Sequence, residues 1–409
     1  MSTKARNKVI FLTCLLAFAG IGVALYRQWT DRKPFAVIVF VADGLTPSNL
    51  AAARLFHGGS DFRFALESMP RMALASPRAK DYAIADAAAA ATSIATGQEV
   101  NRGALALSPG GQTLETILQT ARREGRATGL VSDTPLTDPT AAAFFARASD
   151  ARDPEALALQ LLEDGMPDVM LGAGGSQLAP QQQGGARRDG RDLLLEMRQR
   201  GFDIARTKAE LDSTPGWRAP QLFGVFADGD LAVAEEQAKY PTQPRLGDLV
   251  QKAIELLQFN ARGYLLVVNV GSTGRALQET RAETFFRQLR ELDDAVKTAR
   301  EYSGEDALIV VAGLGNPGGL RLNAFSFAPD RGIAVLGPSP AGVPAISWSS
   351  GAATEPVPAP EGSPAPAKVA GPPEPATEDV LVLASGPGSE TLQGFFPLRE
   401  IHTLVAGSL

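Results

Sequence analysis

Short, unbroken apolar runs alternate along this chain with longer stretches in which apolar residues recur every three or four positions. Residues 35–42 form one such run, apolar and largely β-branched, ending in Asp43-Gly44. A run without polar alternation is buried on both faces, so it predicts a central strand of a parallel sheet. Helical spacing predicts helices over 47–56 and 113–124, the second from Leu114, Ile117, Leu118 and Ala121, closed by Gly125. Strand 127–131, helix 154–163, strand 168–171, helix 189–200 and strand 222–226 follow. Helix 246–257, strand 264–268, helix 281–302, strand 307–311, strand 380–384 and helix 398–405 complete the series. This alternation predicts an α/β protein with a parallel sheet flanked by helices.

The stretch Tyr82 to Gly97 stands out within the pattern. Asp86 leads directly into a run of alanines, which places it at a helix N-terminus. Such an end favours an anion, because free backbone N–H groups and the positive end of the helix dipole face it. Read alone, the segment is first of all a well-packed alanine helix capped by Asp86. Asp43, at the C-terminal end of its strand, lies where open α/β sheets place their ligands.

The N-terminus changes the picture of where the protein resides. Lys4, Arg6 and Lys8 precede an apolar run from Val9 to Tyr26. This fits an uncleaved signal anchor over 1–33, or a long signal peptide with Ala17-Phe18-Ala19 as a cleavage site. The anchor is the reading taken, with the domain at 34–409 expected outside the cytoplasm, in a periplasmic or extracytoplasmic setting. Arg27, Arg32 and Lys33 on the far side weaken orientation by positive charge. Thr13 beside Cys14 speaks against a lipid-modified cysteine. Cys14 is the only cysteine, so no disulfide and no thiolate metal site is expected. A formal net charge of -6 and the lack of an aromatic-interleaved basic patch exclude nucleic acid as an expected partner. Residues 354–376 are dominated by Pro, Ala, Gly and Glu, a composition that predicts a disordered or polyproline-like insertion within the domain.

Taken together, the segments resemble alkaline phosphatases in collinear order from about Phe35 to Leu404. Val41-Ala42-Asp43-Gly44 looks like the family's strand-ending metal-binding Asp-Gly. Tyr82 to Gly97 with Asn101-Arg102-Gly103-Ala104-Leu105 looks like its nucleophile motif and the segment trailing it. Segments beginning at Thr128, Asp138, Asp168, Leu222 and Ala384 match further family stretches. The resemblance implies a three-layer αβα sandwich with a large, mostly parallel central sheet. It also implies a chemistry in which a serine attacks phosphorus, two zinc ions about 4 Å apart stabilise the attacking and leaving oxygens, an arginine holds the phosphate and magnesium tunes the site.

At the residues that perform this chemistry the chain departs from the family. The nucleophile position after Asp86 is Ala87, whose side chain cannot attack. The strand that should end in a magnesium-binding Glu ends in Asn269. Two zinc-ligand positions are occupied by Gly274 and Gln278, and two more by Leu314 and Gly315. The last zinc histidine would fall near Ala353 or Pro375. The whole chain has only two histidines, His57 and His402, expected to be surface or packing residues. A dinuclear zinc site cannot be built from them.

Some of the site remains. Asp86 and Arg152 match the family's Asp and phosphate-holding Arg, allowing a one-residue insertion before Arg152, and could hold an anion or simply pair with each other. Asp43, Asp138, Thr140 and Asn269 match positions around the magnesium and offer an all-oxygen set suited to at most one weakly bound Mg. No other cofactor is expected. The resemblance and these departures together predict a membrane-tethered alkaline-phosphatase-like protein without catalysis, a binding or scaffold module for an unidentified protein or small anion. The alternative is a metal-dependent phosphoric monoester hydrolase with a rearranged site, using water at Asp43 with Thr92 or Ser93 nearby. A homodimer is an expectation carried by the resemblance alone.

Overall fold

The computed structural model describes residues 11–20, 35–59, 61–163, 165–216, 221–323, 344–349 and 375–409. The expected anchor and the Pro/Ala-rich insertion therefore lie largely outside the described residues. Residues 11–20 are helical (α1), and among the described residues no helix is long and apolar enough to cross a membrane.

The remaining helices are α2 (Pro47–Gly58), α3 (Ala87–Thr96), α4 (Ile117–Arg123), α5 (Pro139–Ala142), α6 (Pro154–Gln160), α7 (Leu193–Gln199), α8 (Lys208–Ser213), α9 (Leu246–Leu257), α10 (Gly271–Gln278), α11 (Ala282–Ser303) and α12 (Glu400–Ser408). The strands are β1 (Ala36–Ala42), β2 (Arg71–Ser76), β3 (Ala127–Pro135), β4 (Val169–Ala173), β5 (Asp203–Ala205), β6 (Leu222–Val225), β7 (Tyr264–Val270), β8 (Ala307–Gly313), β9 (Arg321–Leu322), β10 (Ile346–Ser347), β11 (Val380–Ser385) and β12 (Phe395–Pro397). Ten of them form one sheet in the order β12-β2-β11-β8-β1-β7-β3-β4-β6-β5, with β9 and β10 pairing separately.

The expected parallel sheet is present, with β11 as its reversed strand: it runs antiparallel to both β8 and β2, while the other pairings in the sheet are parallel. Every residue of β1, β7 and β8 is buried, which is what their unbroken apolar runs require of central strands. Alternate residues feed two cores. Val37, Val39 and Val41 pack with α3, α4 and α12; Ala36, Ile38 and Phe40 pack with α2, α9 and α11. Two helical layers thus enclose the sheet, giving the three-layer αβα sandwich.

Several element ends differ from the sequence expectation because side chains cap them. α4 begins at Ile117, not 113, since Thr116 and Gln119 form a reciprocal capping box. α7 begins at Leu193 because Asp192 accepts from the Leu195 N–H. The last helix spans 400–408 instead of 398–405. α10, the strand β2 and the edge strands β5 and β12 carry no long apolar run, and the hydrophobic pattern does not predict them.

Candidate functional site

The parallel strands β1, β7, β3 and β8 all end at one edge of the sheet, and the loops leaving them meet there. After β1, Asp43 is followed by Gly44 at φ +76°, a left-handed turn in which a Cβ would lie 2.4 Å from Leu277 and 2.6 Å from Phe285. Only glycine fits both the angle and the space. The loop after β8 crosses the end of β1, with Leu314 N donating to Ala42 O at 3.1 Å and Gly44 N donating to Gly315 O.

Asp43 is 6% exposed. Burial pushes its carboxyl up to about 7, with repulsion from Asp138 and then Asp86 adding to the effect, and among the described residues neither a hydrogen bond nor a cation opposes it. Asp43, Asp138 and Asp86 therefore do share one region, as their places in the sequence suggest. Asp138 caps the four-residue α5, accepting from Thr140 N at 3.1 Å. Burial raises its pKa too, and the Thr140 N–H and then Arg275 oppose the rise. Thr140 is buried beside it.

Asp86 caps α3 as expected: Oδ1 accepts from Ala89 N at 2.9 Å and Oδ2 from Gly103 N at 2.8 Å. Both carboxylate oxygens are thus used on backbone donors, one at the helix start and one in the loop that follows α3. Ala87 is the first residue of α3, directly after this cap. Arg152 is not brought to Asp86. Its Nε donates to Asp150 Oδ1 at 2.9 Å and its Nη2 to Oδ2 at 2.6 Å, and its side chain is 89% exposed. A carboxylate two residues earlier satisfies the guanidinium locally, so the chain turns it outward.

Asn269 lies at the end of β7, opposite Val41 of β1 and Ser132 of β3. Its Nδ2 donates to Ser132 Oγ at 3.0 Å and Thr134 Oγ1 at 3.2 Å, while its buried Oδ1 has no partner among the described residues. One water or hard cation would satisfy that oxygen.

Gly274 and Gly315, expected from the resemblance to stand at zinc-ligand positions, both face Asp43. A Cβ on Gly274 would lie 2.5 Å from Asp43 Oδ2, and one on Gly315 would lie 3.9 Å from Oδ1. Gln278 ends α10 and Leu314 is buried. Among the described residues, no three His, Cys, Asp or Glu side chains converge closely enough to hold a metal ion. The donor set around Asp43 does not fit a zinc pair.

The histidines sit elsewhere. His57 is in the last turn of α2, with Nε2 at 2.8 Å from Phe286 O and Phe56, Phe62 and Phe64 around the ring. His402 packs on Gly97, at the opposite end of α3 from Asp86. The ten residues of α3 span about 15 Å. Thr92 and Ser93 are likewise committed, donating to Ala104 O at 3.2 Å and Ala89 O at 2.9 Å.

Two further residues stand near the site without having been singled out by the sequence. Asp133, buried and pushed up to about 7 by burial against opposing hydrogen bonds from Ser272, caps the start of α10 through Ser272 N at 3.2 Å. Arg275 on α10 places Nε at 2.9 Å from Asp230 Oδ2 and Nη2 at 3.5 Å from Asp138 Oδ2. An acid at the end of β3 and a lone arginine between Gly274 and Gln278 were the available signals.

A family model described as alkaline phosphatase matches residues 35–315. Alkaline phosphatase 4 of Bacillus subtilis is 27% identical over 301 residues, 70% of this chain and 62% of that protein. The tissue-nonspecific alkaline phosphatase of Gallus gallus is 30% identical over 324 residues, 67% of this chain and 62% of that protein. The chain thus spans 62% of the length of these relatives. Among solved structures, Thermus thermophilus alkaline phosphatase aligns with a TM-score of 0.75 at 22% identity, over 93% of this chain and 92% of that one. The enzyme from the Antarctic bacterium TAB5 gives 0.73 at 19% identity, over 92% and 98%.

Proposed function

The chain belongs to the alkaline phosphatase family, and from that premise we propose that it is a member without hydrolytic activity, retained as a binding or scaffold module and tethered at the extracytoplasmic face of a membrane by its N-terminal segment. The observation that carries this reading is the set of residues around Asp43 and Asp86. Ala87 follows the Asp86 cap where a nucleophile is needed. Gly274 and Gly315 face Asp43 where ligands would have to reach a metal. Phosphoryl transfer is catalysed almost wholly by positioning and electrostatic stabilisation, so loss of both the nucleophile and the metal shell removes the means of catalysis.

The ligand is a protein or a small anion. An anion would engage the exposed Arg152 once Asp150 releases it, since Asp86 already occupies the start of α3. A single weakly held magnesium at Asp43, Asp138, Thr140 and Asn269 is compatible with the unpartnered Asn269 Oδ1.

One observation favours a second reading, hydrolysis by a rearranged site: a buried carboxyl titrating near neutrality, as Asp43 does, is suited to general-base activation of water. One experiment separates the two. Full-length protein in detergent is assayed with a generic phosphate monoester plus zinc and magnesium, and its bound metal is measured by elemental analysis. The expected result is background turnover and no stoichiometric zinc. Metal-dependent turnover that Asp43→Ala abolishes establishes the hydrolase instead.

A further inference from the structure

A groove of about 630 Å³ runs along α12, between that helix and the turn that leads into β12. Its floor is apolar: Leu392 and Ile401 are buried, while Phe396 and Leu404 are partly open to solvent. Glu400 is the one charged residue in the lining, and among the described residues its carboxylate has no ion-pair partner. Gly407 and Ser408 line the groove at the C-terminal end of α12 and Glu400 at the N-terminal end, about 12 Å away.

The Gly407–Ser408 end is where the chain enters the sheet. Arg126 donates to Phe35 O as well as to the carbonyls of Ser408 and Leu409, so whatever precedes Phe35 joins the domain beside the mouth of the groove. Residues 27–34, which lie outside the described residues, carry Trp29 together with Arg27, Arg32 and Lys33 against a single acid, Asp31. Trp29 can reach up to about 20 Å from Phe35, farther than the groove is long. An indole gains by leaving water for an apolar floor, and a basic segment suits an unpaired carboxylate. A second groove opens near the same entry, where Phe35 N donates to Asp306 O at 3.2 Å. Its wall sets Lys297 and Arg300 against Glu301 and Glu305, so it offers a basic segment no net attraction.

We propose that residues 27–34 fold back on their own domain and dock in the α12 groove, with Trp29 covering Ile401 and Leu404. The occupant is this chain's own segment because it is covalently held at the mouth, which gives it a high effective concentration there without a partner. Docking fixes the domain's orientation relative to the apolar run that precedes residue 27. The proposal goes beyond the inactive reading and does not depend on it.

The test is disulfide trapping in the full-length protein in detergent, with Cys14→Ser removing the native thiol. Thr30→Cys places one thiol beside Trp29, and the second is placed either by Thr403→Cys on α12 or by Glu305→Cys at the other groove. Thr403 and Glu305 are both exposed, so neither change reaches the core. Oxidation is expected to link 30 to 403 within one chain at least about tenfold faster than 30 to 305, and Trp29→Ala is expected to bring the two rates together. Equal rates for the two pairs overturn the proposal, as does a 30–403 rate that Trp29→Ala leaves unchanged. A disulfide-linked dimer as the main 30–403 product assigns the groove to a second copy and overturns it as well.

Discussion

At the edge of the sheet where the parallel strands begin, Arg126 donates to Phe35 O at 3.1 Å and to the carbonyls of Ser408 and Leu409 at 3.2 Å each. One guanidinium thereby ties the entry of β1 to the last turn of α12. At the edge where those strands end, Asp43 is just as deeply buried but receives no hydrogen bond from the described residues, and its neighbours Asp138 and Asp86 repel it. Both edges contain charge and tight backbone turns, yet the first spends its charge on holding carbonyls and the second leaves a carboxylate uncompensated. A buried charge left without a partner costs stability, and it persists where selection acted on something other than stability. The contrast predicts that substitutions at the first edge destabilise the protein and that some at the second stabilise it.

The largest effect is expected at Gly263, just before β7. Its φ is +83°, and a Cβ there would lie 1.9 Å from Phe35 O. Both the left-handed backbone and the collision with a backbone atom count against a side chain, so Gly263→Ala is expected to cost about 2–5 kcal/mol. Urea unfolding measures this as a fall in the transition midpoint. An unchanged midpoint would mean that the two edges are equally permissive and would break the comparison.

Next in size, and opposite in sign at neutral pH, is Asp43→Asn. Asp43 titrates near 7 in the folded protein against a reference of 3.8, so the folded state holds a proton that the unfolded state has released between those values. Stability contributed by this group is present below about pH 4, falls as the pH rises towards 7 and is flat above it. Removing the charge is expected to leave stability at pH 4 unchanged and to raise it at pH 8, by at most about 4 kcal/mol if the whole displacement of the carboxyl's titration is expressed as folding energy. Equal effects at the two pH values would show that the carboxylate is compensated in solution and would remove the difference between the edges.

The same contrast explains what the sequence could convey. Unbroken apolar runs announce β1, β7 and β8 because a central strand must be apolar on both faces, and Asp43 was identifiable because it ends one of them. β2, with the sequence Arg-Met-Ala-Leu-Ala-Ser, has one neighbour in the reversed β11 and one in the three-residue β12, so no burial requirement writes a long apolar run into it. α10 begins Gly-Ser-Thr-Gly, a poor helix start by intrinsic propensity, and forms because Asp133 from β3 caps it. A cap supplied from 139 residues away leaves no local signature. Within the site, a residue whose role is local, such as the Asp86 cap at the start of α3, could be read directly. Arg152 could not, because its choice of Asp150 over Asp86 is decided by loop geometry.

The smallest expected effect is at Ala87, and it bears most directly on the second edge. Ala87 is the first residue of α3 and partly exposed, so a hydroxyl there meets no packed core. Alanine to serine at a partly exposed helix start changes stability within about 0.5 kcal/mol. Such a variant returns a hydroxyl to the end of the helix dipole, next to an intact Asp86 cap. It returns nothing at Gly274 or Gly315, and Asp43 still fills the space facing residue 274. A serine hydroxyl without a metal or base beside it remains protonated at neutral pH and is a poor nucleophile. Ala87→Ser is therefore expected to fold like the wild type and to show background phosphatase activity with or without added zinc. Metal-dependent turnover from this one change would show that the edge can still assemble a metal shell, and that the alanine alone keeps the protein silent.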